Sequence, residues 1–226
     1  HYKNRRWLPL AFSSMLTEAQ KEAVEEDLGE GLELFPTYQR YYPGGTSSCH
    51  IVGYVGKKAR LPTGPVASGE PLWPLTEGRE GLEGTFDRHL QGTPGSINYL
   101  FDANGLKLGE EIVRQPLPGK NVVTAIDSKM QQLAEKALEG FTDRGAFVVM
   151  DVHSGDIYAM ASCPTYDLNT WIPAISTAEF KALQEDPDLP LFPRAFRGQY
   201  PPASTFKVSV ALAALESGVV DGTTLI

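Results

Sequence analysis

The sequence predicts an α+β fold, because patterns typical of helices and of antiparallel strands occur in the same chain. Apolar residues recur at helical spacing in residues 130–141, and two short strand patterns flank the turn His153-Ser-Gly155. An apolar run extends from Val208 to Leu215 and stops shortly before Gly218, which predicts a further helix. Strand, helix, hairpin and apolar helix together indicate this fold class.

The N-terminal part of the chain opens with a predicted helix over residues 16–28, where Thr17-Glu-Ala-Gln20 is a capping box. Residues 38–56 are rich in aromatic residues and glycine, and they predict turns with short strands. Residues 60–80 are dense in proline and glycine, so we expect an exposed, disordered loop there. The turn Asp102-Ala-Asn-Gly105 then predicts a hairpin.

Pro116-Leu-Pro-Gly119 marks the expected boundary between two regions, residues 1–119 and residues 120–226. Immediately after the boundary, residues 122–126 predict a short apolar strand, and Asp127 is a candidate N-cap for the next helix. The predicted core face of that helix consists of the apolar residues Met130, Leu133, Ala134, Ala137, Leu138 and Phe141.

Two strand patterns in the second region, residues 146–150 and residues 156–161, predict an antiparallel hairpin. Gly155 lies in its turn, where positive φ is expected. His153 lies in the same turn, so we expect a solvated loop histidine rather than a catalytic base. Ser176-Thr-Ala-Glu179 predicts the capped start of a further short helix.

The composition restricts the classes of function. The 226 residues carry a net charge of −8 without a basic stripe, which argues against nucleic acid as a partner. No apolar run approaches the roughly eighteen residues of a membrane span, and no signal peptide is recognisable. Cys49 and Cys163 fall in different predicted regions, so a disulfide between them is disfavoured, and neither has the spacing of a metal site.

The most informative stretch is Ser204-Thr-Phe-Lys207, which places a hydroxyl and an amine at positions i and i+3 on one helix face. Pro201 and Pro202 predict an extended entry to this helix, and Gly218 is the expected C-terminal stop. The amine of Lys207 should therefore reach the Ser204 hydroxyl without a change in the backbone.

The surroundings of this pair suggest acyl transfer. The residues that follow Lys207 are almost all apolar, which predicts a helix packed inside a domain with Lys207 as its only cation. Burial of an amine without compensation lowers its pKa, and a neutral amine can take the proton of an attacking serine. Backbone N–H groups at the helix start can stabilise the resulting oxyanion. Alone, the tetrapeptide also fits a serine cap and a lysine whose head reaches solvent.

Pro202-Ala-Ser-Thr-Phe-Lys207 resembles the nucleophile motif of the penicillin-interacting serine enzymes. Residues 122–138 and 145–169 resemble the opening strand, the first helix and the strand pair of penicillin-binding transpeptidase domains. The resemblance keeps a consistent order from about Trp7 to Leu225. Three upstream segments resemble the non-catalytic region of class B penicillin-binding proteins, especially the elongation type: Arg40-Tyr-Tyr-Pro-Gly-Gly45, His50-Ile-Val-Gly-Tyr-Val-Gly56 and residues 81–95.

This resemblance implies a D,D-transpeptidase that crosslinks peptidoglycan. Ser204 would attack the D-Ala-D-Ala carbonyl of a stem peptide, Lys207 would accept its proton, and β-lactams would acylate Ser204 as covalent inhibitors. No metal or organic cofactor is implied. Residues 1–119 would dock a cell-wall polymerase. The resemblance also implies an inner-membrane protein whose catalytic part is periplasmic, held by an anchor that precedes His1.

Two further motifs of the family, Ser-x-Asn and Lys-Thr-Gly, do not follow Lys207. The one Ser-x-Asn match, Ser96-Ile-Asn98, lies far upstream in the non-catalytic region. We therefore expect this chain to be part of a longer enzyme, truncated at both ends and inactive alone. In such a chain the helix after Ser204 should expose apolar surface.

Four more residues are weaker candidates. Arg194 and Arg197 precede the nucleophile and could bind a substrate carboxylate, but structural or surface roles are favoured because the family uses its missing strand motif for that purpose. Asn169 and Trp171 could line the cleft, with less support.

Two alternatives remain open. A β-lactamase or β-lactam sensor domain can carry the same nucleophile motif, although these proteins do not usually have the upstream segments. A non-catalytic module that docks cell-wall machinery through residues 1–119 belongs to a different class of function.

Overall fold

A computed structural model describes residues 16–29, 32, 34, 39–58, 70, 76–104 and 106–224 of the chain. Helices and antiparallel strand pairs alternate along these residues, which confirms the predicted α+β class. The helices are α1 (Glu18–Glu26), α2 (Cys49–Val52), α3 (Gly81–Thr85), α4 (Asp87–Leu90), α5 (Ser128–Glu139), α6 (Thr177–Glu185), α7 (Arg194–Arg197) and α8 (Lys207–Glu216). The strands are β1 (Val55–Lys57), β2 (Thr76–Gly78), β3 (Ser96–Phe101), β4 (Lys107–Arg114), β5 (Gly145–Met150) and β6 (Ile157–Cys163). Among these residues, 3₁₀ turns span Leu168–Trp171 and Ala203–Phe206.

Helix α1 begins with the capping box that the sequence predicts. Thr17 Oγ1 accepts the backbone N–H of Gln20 at 3.3 Å, and Gln20 Oε1 accepts the backbone N–H of Thr17 at 2.9 Å. No residue of α1 is buried. The helix is therefore stabilised by local hydrogen bonds rather than by packing.

The loop predicted over residues 60–80 is described only in part, because residues 60–69 and 71–75 lie outside the described residues. Its last residues were assigned wrongly: residues 76–78 form β2, which pairs antiparallel with β1. A Cβ on Gly78 would lie 1.8 Å from the carbonyl oxygen of Glu83, so only glycine permits this approach of β2 to α3.

The hairpin predicted around residues 102–105 is confirmed, because β3 and β4 pair antiparallel on either side of it. Asp102 Oδ1 accepts the backbone N–H of Asn104 at 2.8 Å and of Leu106 at 2.7 Å, which stabilises the turn. Gly105 lies outside the described residues.

The second predicted hairpin is also confirmed. Strands β5 and β6 pair antiparallel, with Ala146 opposite Ser162, and β6 extends as far as Cys163. In the turn, Asp151 Oδ1 accepts the backbone N–H of His153 at 2.7 Å, and Gly155 has the expected positive φ of 80°. His153 is exposed, as predicted for a loop histidine.

Helix α5 begins as predicted, with Asp127 Oδ1 accepting the backbone N–H of Met130 at 2.8 Å. Its predicted core face is partly wrong, because Leu133 is 68% exposed and Phe141 is 89% exposed. The face that packs on β6 contains two polar residues that a search for apolar periodicity could not find. The buried residues of α5 are Gln131, Ala134, Glu135 and Leu138.

The strand predicted at residues 122–126 does not form. Val123 is 93% exposed, and none of the described strands pairs with this segment. Apolar composition alone does not make a strand, because the backbone needs a partner for its hydrogen bonds.

The larger hydrophobic core joins residues on both sides of the predicted boundary at residues 119 and 120. The Trp171 ring stacks on Tyr54, with ring centroids 3.5 Å apart and planes 14° from parallel. Asn169 adds two hydrogen bonds, since its Oδ1 accepts the Tyr42 N–H and its Nδ2 donates to the Tyr42 carbonyl, both at 3.0 Å. The buried members of this core are Tyr42, Cys49, Tyr166, Leu168 and Trp171.

The two cysteines are free, as expected, and they lie in separate cores. Cys163 belongs to a smaller core in which Ala134 and Leu138 of α5 pack on β6. Burial raises the pKa of the Cys49 thiol to about 12, and burial also raises the pKa of Cys163. Neither thiol therefore has the thiolate character of a reactive cysteine.

His50 is buried beside Cys49. Its Nε2 lies 2.7 Å from the carbonyl oxygen of Pro190, and its Nδ1 lies 3.4 Å from Cys49 Sγ. Burial lowers the pKa of His50, the Arg194 guanidinium lowers it further, and the Pro190 carbonyl and the Glu135 carboxylate oppose the shift. The folded protein therefore favours the neutral imidazole.

We expect acidification to reduce the free energy of unfolding through His50. The unfolded imidazole binds a proton at its ordinary pKa of about 6.5, whereas the folded imidazole binds one only at lower pH. The stabilising contribution is complete above about pH 6.5 and is lost as the pH falls toward the folded-state pKa. Urea unfolding at about pH 7.5 and about pH 5.5 measures this dependence.

The matched variants are His50→Gln, which should show a weaker pH dependence over this range, and His153→Gln, which should behave as the parent because His153 is exposed. An NMR titration in which the His50 imidazole gains its proton above about pH 6.5 would contradict the assignment.

Candidate active site

Ser204 and Lys207 lie at opposite ends of one tight turn. Ser204 is in the 3₁₀ turn Ala203–Phe206, α8 begins at Lys207, and the Lys207 N–H donates to the Ser204 carbonyl. The sequence prediction that one helical turn separates the two residues is therefore correct for the backbone. Both residues are exposed, and no side-chain hydrogen bond of the described residues joins their hydroxyl and amine.

The entry to this turn differs from the prediction. Pro202 was expected to be extended, but it has the helical angles φ −68° and ψ −14°. The turn already begins there, because the Pro202 carbonyl accepts the Thr205 N–H at 3.1 Å and also the Thr205 hydroxyl. Ala203 has a positive φ of 46°, a conformation that costs energy for a residue with a Cβ.

The end of α8 is the one that the sequence predicts. Gly218 has a φ of 69° and donates its N–H to the Leu215 carbonyl at 3.1 Å, and the Val219 N–H reaches the Ala214 carbonyl at 3.2 Å. This pair of hydrogen bonds is a Schellman motif, which satisfies carbonyls that the helix end would otherwise leave unpaired.

The surroundings of α8 do not provide the burial predicted for the nucleophile helix. No residue of α8 is buried, and Val208 and Leu212 are 66% and 59% exposed. The expectation that this chain exposes apolar surface here is confirmed. Lys207 is exposed with the helix, so the burial predicted for its amine is not observed.

Arg194 has a structural role. Its side chain is 6% exposed, and Nη1 donates to the carbonyls of Leu189 and Phe192 at 3.0 and 3.3 Å, while Nη2 donates to the Asp188 carbonyl. The guanidinium thus closes the loop before α7. These contacts agree with the structural role that the sequence favoured for Arg194.

The other weaker candidates also have structural partners. Arg197 forms an exposed ion pair with Glu80 at 3.1 Å. Asn169 bonds Tyr42, and Trp171 stacks on Tyr54 in the larger core, so both have structural partners. Helix α7 is itself fixed to β6, since the Ala195 N–H donates to Ser162 Oγ at 3.0 Å.

The upstream Ser-x-Asn match is not part of this site. Ser96 and Asn98 lie on β3, whose partner is β4, and α8 packs on neither strand. The sequence search missed one buried polar pair, Gln131 and Glu135, which continues the buried face of α5 at a spacing of one turn. That spacing relative to Ala134 and Leu138 was the available signal.

In the described part of the chain, no group of three or more His, Cys, Asp or Glu side chains is arranged to hold a metal ion. Among the same residues, no helix combines the length and the apolar character required to cross a bilayer.

Two protein families match successive parts of this chain. Residues 3–124 match the family described as the penicillin-binding protein dimerisation domain. Residues 145–226, which include Ser204 and Lys207, match the penicillin binding protein transpeptidase domain. The dimerisation-domain match favours a penicillin-binding protein over the β-lactamase or sensor alternative.

Individual relatives give the same result. The peptidoglycan D,D-transpeptidase MrdA of Escherichia coli K12 is 33% identical over 96% of this chain and 35% of its own length. The chain thus spans about a third of the length of the curated relatives that it matches.

Solved structures are similar as well. One, described as a peptidoglycan synthase complex that coordinates polymerization and crosslinking, is 33% identical, with a TM-score of 0.70 over 92% of this chain and 38% of the other. The complex of PBP2 with MreC from Helicobacter pylori is 28% identical, with a TM-score of 0.76 over 94% of this chain and 40% of the other. Since the dimerisation-domain match alone covers more than half of its residues, and the transpeptidase match follows in the expected order, the chain belongs to the penicillin-binding protein family.

Proposed function

We propose that the whole protein is a serine D,D-transpeptidase that crosslinks peptidoglycan, with Ser204 as nucleophile and Lys207 as its proton acceptor. The observation that carries this proposal is the position of the pair. Ser204 and Lys207 occupy one turn at the start of an apolar helix, inside the residues that match the transpeptidase domain. The name of the E. coli relative supports the same activity.

The proposed reaction proceeds in two steps. Ser204 Oγ attacks the carbonyl carbon between the two D-alanines of a stem peptide, Lys207 accepts the hydroxyl proton, and the amide C–N bond breaks. The terminal D-alanine leaves with a proton, and an ester joins Ser204 to the shortened stem. The amine of a neighbouring strand then attacks the ester carbonyl and forms the crosslink, and Ser204 Oγ regains a proton. A β-lactam acylates the same oxygen when its ring amide opens.

The proposal also divides the chain into a non-catalytic and a catalytic region. Residues 1–119 form the non-catalytic region, and residues 120–226 form the first part of the transpeptidase domain. The family matches support this division, because one ends at residue 124 and the other begins at residue 145.

We further propose that a cell-wall polymerase docks on residues 1–119. The similarity to a structure of a peptidoglycan synthase complex supports such a partner. A protein that uses periplasmic peptidoglycan as substrate would work at the outer face of the inner membrane, held there by a segment outside the residues described in this structure.

The first prediction concerns covalent labelling. Incubation with a fluorescent penicillin should give a single adduct on the whole protein, and Ser204→Ala should abolish the adduct because the acylated oxygen is gone. Ser209→Ala, which removes an exposed hydroxyl of α8, should leave it intact. The 226-residue chain should not be labelled, because Ser-x-Asn and Lys-Thr-Gly do not follow Lys207. Intact-mass spectrometry measures each outcome.

Labelling that persists in Ser204→Ala would refute the assignment of the nucleophile. Complete absence of labelling on the folded whole protein would refute the proposed reaction and would favour a docking module without catalytic activity.

The second prediction concerns the base. Lys207→Met should slow acylation by penicillin roughly 10²- to 10⁴-fold, the range typical of a lost general base. The melting temperature of this chain should change little, because Lys207 Nζ forms no ion pair or hydrogen bond with the described residues. Time courses of adduct formation give the rate. Lys181→Met, an exposed lysine paired with Glu185 on α6, is the control that should react as the parent does. A parental rate in Lys207→Met would assign proton transfer to another group.

A further inference from the structure

A buried carboxylate lies between the two regions of the chain. Glu135 of α5 is 9% exposed, and both of its oxygens accept hydrogen bonds. Oε1 accepts the Ser48 N–H and Gln131 Nε2, both at 2.7 Å, and Oε2 accepts the Ser47 hydroxyl at 2.8 Å. Among the described residues, no lysine or arginine forms an ion pair with Glu135. Its buried charge is therefore balanced by three hydrogen bonds, two of which come from the N-terminal region.

The N-terminal side of this junction has a strained backbone. Ser48 has φ 60° and ψ 17°, which is the left-handed conformation that a non-glycine residue adopts at a cost. Ser48 is also the N-cap of α2, and its side chain caps no N–H of that helix. The Glu135 carboxylate accepts the Ser48 N–H in this conformation, so it holds the start of α2, where Cys49 enters the larger core.

The other side of the junction reaches β6. Gln131 is 1% exposed, its Oε1 accepts the Met160 N–H at 2.6 Å, and its Nε2 donates both to the Met160 carbonyl at 3.3 Å and to Glu135. Gln131 thus bonds the backbone of β6 at Met160, which lies opposite Val148 of β5. Two residues along β6, Ser162 Oγ accepts the Ala195 N–H at 3.0 Å, which fixes α7. Helix α7 leads directly into the segment that ends at Ser204.

From these contacts we infer that Glu135 is a positioning residue for acyl transfer at Ser204. Its carboxylate fixes Ser47 and Ser48 against α5, Gln131 passes that constraint to β6, and β6 sets the position from which the chain runs to Ser204. Glu135 touches neither the nucleophile nor the substrate in this scheme. The inference rests on the proposed function of Ser204, and it adds a role for a residue outside the motif that bears the nucleophile.

The side chains suggest a graded set of variants. Glu135→Leu removes every acceptor, so the Ser48 N–H loses its partner and the Gln131 amide keeps only the Met160 backbone among the described residues. Glu135→Gln keeps one carbonyl oxygen for those two donors, and its amide can donate to the Ser47 hydroxyl, which can also act as an acceptor. Glu139→Gln is the matched control, because Glu139 lies one turn further on the same helix, is exposed, and accepts only the Thr165 hydroxyl at 3.4 Å.

The experiment measures the rate constant of penicillin acylation, the final adduct per protein and the melting temperature for each variant of the whole protein. We expect Glu135→Leu to reach the full adduct level about tenfold more slowly, which corresponds to about 1.4 kcal/mol in the activation free energy. Glu135→Gln should restore most of the rate, and Glu139→Gln should react at the parental rate.

A purely structural role predicts a different result. It would lower the melting temperature or the final adduct level of Glu135→Leu, while the protein that does react would react at the parental rate, and this outcome overturns the inference. If Glu135→Leu does not fold, Glu135→Asp replaces it, because a shorter side chain withdraws the carboxylate from both serines. Absence of any adduct on the parent protein would instead refute the proposed function, so the two failures are distinguishable.

Discussion

The relation between the two regions of the described structure depends on the packing of residues 42–54 against residues 166–172. The stacked rings of Tyr54 and Trp171 form its centre, and the edge of Tyr166 packs against both rings. Aromatic pairs of this kind contribute about 0.5–1.5 kcal/mol beyond the burial of their area. The strand pairs have two strands each, and such pairs are marginal unless something packs on them. The larger core therefore joins the N-terminal region to the residues that follow β6.

Several polar side chains near this contact are buried or partly buried. Asn169 satisfies both backbone groups of Tyr42, His50 reaches the Pro190 carbonyl, and Glu135 accepts from Ser47 and Ser48. Each of these side chains links segments that are distant in sequence. Burial of a polar group is costly unless the group is hydrogen-bonded, so these hydrogen bonds favour one arrangement of the two regions.

Local sequence patterns predicted the caps, turns and ends of the elements more accurately than they predicted which residues pack against other parts of the chain. The capping box at Thr17, the N-cap at Asp127, the turn at Gly155 and the stop at Gly218 depend on a few neighbouring residues, and all four form as predicted. The strand predicted at residues 122–126 and the apolar face predicted for α5 depended on partners that the pattern does not name. The buried pair Gln131 and Glu135 was missed for the same reason, because polar residues enter a core only where distant donors and acceptors meet them.

The segment that bears the proposed nucleophile shows which of its features are local and which depend on tertiary contacts. The turn that joins Ser204 to Lys207 and the Schellman end of α8 form although the helix is exposed, so the relative position of hydroxyl and amine is a local property. A low dielectric around Lys207 is not local, because it requires apolar surface that covers Val208 and Leu212. The position of the whole segment is not local either, since it follows from α7 and its hydrogen bond to Ser162 on β6. The sequence motif therefore supplies the geometry of the pair, while the activation proposed for Ser204 and the placement of its segment would depend on separate tertiary contacts.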